Sequence, residues 1–550
     1  MRGVVVASLL AQALISVFAS PKVGGPVWSQ TYSVKGILHI PYAEIDEPFY
    51  AWFDAPSKQS RIDYYGDMVK TYQLGGHGYG TSIKIAPVTT EEEQNTRTCL
   101  QVNGTADNKI LPQTVLPQLI NFECIGQETV NGLETEKWGL TETVGEKENK
   151  YTMWIIYKDN PDGIGKIAVP VRYEMKGFNS LLGSHYDHYY LDYDSYNIDD
   201  IPGKIFQIDS NMTCSAFPGP GNKHIYTFNP MAEFVKPETT GHLDFEFDKF
   251  MRKHSKQYEG QTEHMLRKEI FRQNIRLIHA VNRQNKGYSL AVNHLADKTP
   301  EELEALRGKQ YSGVYNGGEP FPYKNVNRAN LPPQFDWRIY GAVTPVKDQS
   351  VCGSCWSFGT IGAIEGAYFL KNGGKLVRLS QQALVDCSWG YGNNGCDGGE
   401  DFRAYSWIKK HGGVPTEEAY GPYLGQDGYC HADKVPKVAP IKGWVNVTSN
   451  DENALRLAIF KHGPISVAID ASHRTFSFYS NGVYYEPKCG NTVDELDHAV
   501  LAVGYGTLNG KDYWLIKNSW SNYWGNDGYI LMAAKDNNCG VMTTPTYVTM

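Results

Sequence analysis

The sequence predicts an α+β chain built of several domains, and three observations carry that expectation. Residues 20–217 alternate apolar and polar side chains, residues 240–307 switch to apolar spacings of three and four, and the final 220 residues hold seven of the ten cysteines. Alternation at a period of two marks half-buried strands, and the three-and-four rhythm marks one face of a helix. At 550 residues the chain exceeds a single hydrophobic core, so about three or four folded units are expected.

Arg2 precedes an apolar run from Val4 to Val17, and Val17 and Ala19 stand as the small residues before a cleavage point. Residues 1–19 therefore read as a removable secretory leader, too short and wrongly flanked for a membrane span. No later segment is apolar for long enough to cross a bilayer, so no transmembrane anchor is expected. A net charge of -8 with no dense basic run excludes nucleic acid as a main partner. Export implies an oxidising compartment, in which cysteines read first as disulfides. Sequons at Asn103, Asn211 and Asn446 are the candidate glycan sites on that route.

Within 20–217, Tyr32, Val34, Leu38 and Ile40 alternate, as do Phe49, Ala51 and Phe53, and Tyr151–Tyr157 is rich in strand formers. A mostly antiparallel β domain is expected, a curved sheet or half-barrel that binds an apolar ligand or docks its neighbour. Its three cysteines leave one over: Cys99 with Cys124 is the local pair, and Cys214 remains. His185, Asp187 and His188 raise the question of a metal, but a period of two puts the two histidines on opposite faces, so none is expected. Pro218-Gly219-Pro220-Gly221 opens a linker over 218–239. From 240 to 307, Phe247, Phe250, His254 and Tyr258 share a helical face, and Pro300 begins another short helix. Residues 308–330, rich in Gly, Pro and Asn without periodicity, read as an exposed, cleavable connector.

The unit 331–550 carries the chemistry. Cys355 opens a helix that runs to Leu370 and is closed by Asn372-Gly373-Gly374. At a helix N-terminus the free N–H groups and the dipole favour a thiolate, the form of cysteine that attacks carbonyls. His498 begins a strand ending at Gly504-Tyr505-Gly506; an imidazolium there pairs with the thiolate and protonates a leaving amine. Cys352-Gly353-Ser354-Cys355-Trp356 resembles the nucleophile motif of the papain/cathepsin cysteine proteases residue for residue. His498 follows Cys355 by 143 residues, inside that family's interval. The resemblance implies that Asn518 orients His498, that Trp520 shields their bond, and that Gln349 forms an oxyanion hole with the Cys355 N–H. It implies a two-lobed fold, a helical lobe plus a β-barrel lobe. The implied activity is hydrolysis of peptide bonds in proteins and peptides through an acyl-enzyme, without a cofactor. It also implies disulfides Cys352–Cys396, Cys387–Cys430 and Cys489–Cys539, with Cys355 left as a thiol. A zinc site on Cys352 and Cys355 lacks a second paired ligand set.

Glu263, Arg267, Phe271, Asn274, Ile278 and Asn282 resemble the interrupted helical motif of cathepsin L-like propeptides. Asn293-His294-Leu295-Ala296-Asp297 resembles the strand motif that follows, with Ala291 in place of its usual Gly. The resemblance implies a small α-helical inhibitory prodomain over 240–307 that crosses the cleft backwards, so the chain's own propeptide is its inhibitor. Ion pairing of Glu263 and Asp297 within it is expected to fail in acid and loosen it. Gly398 and Gly399 match the loop that bonds a substrate's backbone. Glu400 and Asp401 stand where an aromatic and an apolar residue are usual, and Ala468, Leu496, Ala499 and Thr544 line the same pocket. That pocket is expected to be apolar in depth with an acidic mouth. Ser350 and Ser521 occupy positions where Gly is common. The whole layout resembles the two-chain cysteine proteinases of insect blood cells. The leader points to a secreted or lysosomal location, and whether the N-terminal and protease fragments associate after cleavage is left open by the sequence. The competing class, a binding protein on a protease-like scaffold, is set apart by the complete set of Gln349, Cys355, His498 and Asn518.

Overall fold

The computed structural model describes residues 25–76, 78–88, 95–160, 163, 165–216, 229–235 and 241–550. The expected leader at 1–19 and most of the expected 218–239 linker lie outside the described residues. The alternating segments form β1 (Thr31–Ile40), β2 (Ile45–Asp54), β3 (Gln59–Tyr64), β4 (Val69–Leu74), β5 (Thr81–Val88) and β6 (Thr96–Asn103). A second series follows: β7 (Glu123–Val130), β8 (Leu133–Val144), β9 (Lys147–Asp159), β10 (Lys166–Asn179), β11 (Ser184–Asn197) and β12 (Cys214–Ala216). All join one sheet in the order β12-β6-β5-β4-β3-β2-β1-β11-β10-β9-β8-β7, antiparallel except where β12 runs parallel to β6. Tyr32, Val34, Leu38 and Ile40 enter one core with Met153, Tyr173 and Leu191, joined by Val115, Leu116 and Leu119 from the β6–β7 connection.

That strand order overturns the local Cys99–Cys124 pair. Cys99 on β6 and Cys124 on β7 lie toward opposite ends of the sheet, because the connection between them carries the chain across the core face. The parallel β12 sets Cys214 directly across from Cys99, and those two form the disulfide. Cys124 keeps its thiol, which donates to Glu136 Oε1 at 3.6 Å. A non-reducing peptide map is expected to link the Cys99 and Cys214 peptides while Cys124 alkylates without reduction. A Cys99–Cys124 cross-linked peptide would overturn this register.

The three residues weighed as metal ligands do not converge. His185 is exposed, His188 lies 2.9 Å from Glu174 Oε1, and Asp187 turns inward past a bulge at Tyr186. Asn103 and Asn211 are exposed, whereas the half-buried Asn446 exchanges carboxamide hydrogen bonds with Asn316 at 2.8 Å.

The helical segment begins with α1 (Gly241–Lys253) and the longer α2 (Gly260–Gln284), then the short strand β13 (Tyr288–Leu290). Each motif position on α2 has a physical task. Arg267 joins Glu263 to Glu302, Phe271 is buried against Phe247 and Phe250, and Asn274 donates to the Ala296 carbonyl at 2.9 Å. Ile278 is buried in the same core, and Asn282 makes reciprocal bonds with the backbone of Leu290, fixing β13 to the helix. β13 then pairs with the strand Tyr479–Tyr484 of the following unit, setting Tyr288 opposite Gly482.

The opposite face of α2 is buried as well, against the N-terminal sheet. Arg276 forks onto Asp187 at 2.7 and 3.0 Å and also reaches Glu233, while Arg283 holds the fully buried Glu47 at 2.7 Å. Lys147 of the sheet pairs with Glu269 at 2.6 Å, and Ala280 enters the core of the β domain. A surface helix normally has one apolar stripe and one solvated face; here cations buried in acidic partners replace the solvated face. The N-terminal domain thus docks on the prodomain helix.

The C-terminal unit packs a helical lobe around α3 (Cys355–Lys371), with Trp356, Leu384 and Ile408 in its core. Its second lobe is a sheet whose strands include Ile465–Ile469, His498–Leu508 and Lys511–Lys517. Prosegment strands cover both ends of that sheet, β13 at one and Glu319–Pro320 at the other. Disulfides join Cys352 to Cys396, Cys387 to Cys430 and Cys489 to Cys539.

Candidate active site

Cys355 is the first residue of α3 and His498 the first of its strand, so the two lobes bring their N-terminal ends together across the cleft. Both residues are fully buried in the precursor. The Ala499 N–H donates to Cys355 Sγ at 3.5 Å, which sets the sulfur beside the histidine strand. His498 Nε2 lies 2.8 Å from Asn518 Oδ1, and the Trp520 ring lies against the imidazole, tilted by 37° at a centroid distance of 4.8 Å. With Nε2 committed to Asn518, the buried and otherwise unbonded Nδ1 is the atom left to exchange a proton with the thiol.

Gln349 is buried, and its Oε1 accepts from Ser519 Oγ at 2.7 Å. That contact fixes the carboxamide, whose Nε2 donates to the Cys352 carbonyl of its own loop at 2.8 Å. Sequence reading missed the role of Ser519, although its place between Asn518 and Trp520 was a signal. Gln349 Nε2 donates to the carbonyl of Leu306 at 2.9 Å. The prosegment thus places a peptide oxygen on the Gln349 carboxamide.

The chain then runs through the cleft. Gly308 lies beside the Cys355 sulfur, Gly399 N–H donates to Gly308 O at 2.9 Å, and Gln310 N–H donates to Gly399 O at 3.0 Å. Lys309 N–H donates to Asp497 O at 2.9 Å from the other wall. Gly398, at φ 111°, permits this approach, since a Cβ there would stand 2.7 Å from Gly308 O. Burial under this strand pushes the Cys355 thiol up to about 11 and His498 down to about 4, Asn518 only partly countering the latter. Both groups are therefore neutral at pH 7, and the precursor lacks the charged pair that nucleophilic attack needs.

Among the predicted wall residues, Ala468 and Ala499 face each other across adjacent strands, and both are buried, as is Leu496. Thr544 is half-buried near the C-terminus. The acidic pair corrects the expectation of a two-carboxylate mouth. Glu400 is buried and turned to Arg403 at 2.8 Å, so its charge is neutralised at home. Asp401 instead dips between the lobes, where Thr546 Oγ1 and Ser466 Oγ donate to it at 2.6 and 3.2 Å. Ser350 and Ser521, at φ 57° and 69°, adopt the left-handed conformation that glycine holds without strain. Ser350→Gly is expected to stabilise the fold by about 0.5–1 kcal/mol, read as a small rise in thermal midpoint.

Comparison with known proteins gives consistent matches. A profile described as papain family cysteine protease matches residues 331–549, and one described as cathepsin propeptide inhibitor domain (I29) matches residues 247–303. A cathepsin L-like peptidase of Aedes aegypti is 47% identical over 316 residues, covering 55% of this chain and 92% of that protein. Digestive cysteine proteinase 3 of Homarus americanus is 45% identical over 309 residues, covering 55% of this chain and 94% of the relative. The solved structure of digestive procathepsin L 3 from Tenebrio molitor larval midgut matches with a TM-score of 0.51 at 38% identity. It covers 56% of this chain and 99% of that one.

Proposed function

The chain belongs to the papain family of cysteine proteases, and we propose that Cys355, His498, Asn518 and Gln349 carry out its hydrolysis of peptide bonds. It is made as a zymogen with its own inhibitory prodomain. The observation that supports the residue assignment is the prosegment itself, whose Leu306 carbonyl bonds Gln349 while Gly308 and Lys309 are held by the backbones of Gly399 and Asp497. This is a peptide held at the reacting position. We read 331–550 as the protease, 240–307 as the prodomain, 308–330 as the cleavable connector and 20–217 as a docking domain.

Once the prodomain leaves, water reaches the site and the penalty on the charged pair falls. His498 Nδ1 takes the thiol proton, and Cys355 Sγ attacks the peptide carbonyl carbon. Gln349 Nε2 and the Cys355 N–H hold the developing oxyanion. His498 then protonates the departing amine, and water cleaves the thioester with the same imidazole as base. Asn518 keeps the ring turned for each transfer. Proteins and peptides are the substrates. The leader and the four disulfides support a secretory route, to the outside or to a lysosome. The N-terminal domain touches the protease directly where Arg474 donates to the Tyr42 carbonyl at 3.0 Å, which supports association of the two fragments after cleavage.

An epoxysuccinyl thiol inhibitor tests the assignment. Acid-treated protein is expected to take up one equivalent on the Cys355 peptide, and untreated precursor far less. Labelling elsewhere, with Cys355 unmodified and hydrolysis lost, would refute it.

A further inference from the structure

The Asp401 carboxylate lies at the junction of the two lobes. Its Oδ2 accepts from Thr546 Oγ1 and Ser466 Oγ, and its Oδ1 from the Phe402 N–H at 2.7 Å. Ser466 and Ala468 point to one face of their strand, and Ala499 stands opposite Ala468, so this carboxylate lies beside the apolar wall described above. Three donors hold it there, and no cation lies within ion-pair distance of it among the described residues. Glu400, its neighbour, is matched by Arg403. A buried carboxylate held only by neutral donors has a cost that a cationic ligand can offset.

The prosegment shows which ligand. Gly308 lies at the sulfur, and the next residue, Lys309, bridges to Gly399 and bonds Asp497. A substrate placed with its first acyl residue at Cys355 puts its second, P2, between these same walls. The prosegment has a lysine in that place, where its ammonium donates to the Val493 carbonyl at 3.4 Å. Burial lowers the Lys309 pKa, and Asp401 is the foremost of the charges that counter it.

Building on the protease reading above, we propose that Asp401 makes this enzyme select Lys or Arg at P2, with Lys309 as the prosegment's imitation of that side chain. The connector carries the same signature. Arg328-Ala329 precedes Asn330, so a cut with Arg at P2 and Ala at P1 releases a chain starting at Asn330, one residue before Leu331.

The experiment uses mature protein and acetyl-X-Ala-coumarylamides with X as Lys, Arg or Leu. The wild type is expected to cleave the Lys and Arg substrates with kcat/KM several-fold above Leu. Asp401→Asn keeps the side chain's shape, and its Lys/Leu ratio is expected to fall roughly tenfold. Asp401→Met is expected to reverse the preference. A Lys/Leu ratio unchanged in both variants would overturn the proposal, as would a wild type that prefers Leu. The wild-type panel and N-terminal sequencing of the self-processed chain decide the matter even if a variant fails to fold. A start at Asn330 supports the proposal, and a start that puts an apolar residue at P2 counts against it. Absence of cleavage of all three substrates would overturn the protease reading, and this inference with it.

Discussion

Cys355→Ala protein is expected to fold, to keep all four disulfides and to lose hydrolysis by a factor on the order of 10^4 or more. The proposed nucleophile is the sulfur held at the start of α3 by the Ala499 N–H, beside the imidazole strand. Its removal leaves a small gap in a packed core, which costs about 1 kcal/mol of stability and disturbs no cross-link. Cys355→Ser is expected to be almost as inactive, because a hydroxyl does not ionise beside an imidazolium as a thiol does. Turnover of a coumarylamide substrate, measured against a mock preparation, checks both. Activity of either variant within tenfold of wild type would place the nucleophile elsewhere. Gln349→Ala is expected to lose roughly 10²–10³-fold, mostly in kcat, since its donor acts on the oxyanion.

Acidification from pH 6.5 to 4 is expected to lift the prodomain off the protease while leaving it attached to the N-terminal domain. His254 and His294 of the prodomain lie against Tyr523 of the protease, at ring distances of 5.1 and 6.1 Å. Burial, reinforced by Lys253 and Lys256 around His254 and by Lys256 and Lys298 around His294, pushes both rings down to about 4. Asp297 on the same side opposes the shift for both, and Asp348 of the protease stands 4.0 Å from His294 Nε2. On release the rings regain an ordinary value near 6.5. The docked form is therefore unopposed above about pH 6.5, and it weakens as pH falls toward 4, where the released rings bind protons that the docked rings refuse. His294 contributes up to ~3 kcal/mol of this, and the more exposed His254 half of that or less after solvent screening.

The histidine pair stands beside the carboxylate switch expected at Glu263 and Asp297, which pair with Arg267 and Lys256. Among carboxylates of the Arg267 cluster, burial favours a raised pKa for Glu302, yet Arg267 and the Thr299 N–H hold it at about 2. Its contribution is lost only between about 4.5 and 2, below the range of mild acid. Asp187 behaves alike: burial opposes its charge, but Arg276 holds it at about 2, so the clamp on α2 stays closed. Conversion of precursor followed by gel from pH 7 to 4 checks the window. Replacing both histidines by Phe is expected to move the midpoint down by roughly one pH unit. An unmoved midpoint would return the switch to the carboxylates, and a Cys355→Ala precursor that still converts alone would assign the cut to another protease.

Some of this was legible in the sequence because it is local. Cys352 through Trp356 form one loop and helix start, and the propeptide motif repeats along a single helix, so residue spacing alone fixes which side chains share a face. Asn518 and Trp520 are likewise two residues apart on one segment that meets His498 once the lobes close. The expected strands in 20–217 also followed from alternation, since a half-buried strand imposes a period of two wherever it pairs.

Pairing itself is not local, and there the tertiary structure decided. Cys99 takes Cys214 rather than Cys124 because sheet order, not chain distance, sets which strand lies across from β6. Glu400 and Asp401 are adjacent in sequence, yet one is matched by Arg403 and the other by hydroxyls of Ser466 and Thr546, which arrive from segments 65 and 145 residues away. The basic residues Arg276 and Arg283 look solvent-facing in the sequence, as charges on a helix usually are. They are buried because Asp187 and Glu47, some 90 and 236 residues away, fold over them. Local propensity acts through a few covalent bonds and can be read along the chain, whereas burial and charge pairing depend on contacts that exist only after the chain has closed on itself.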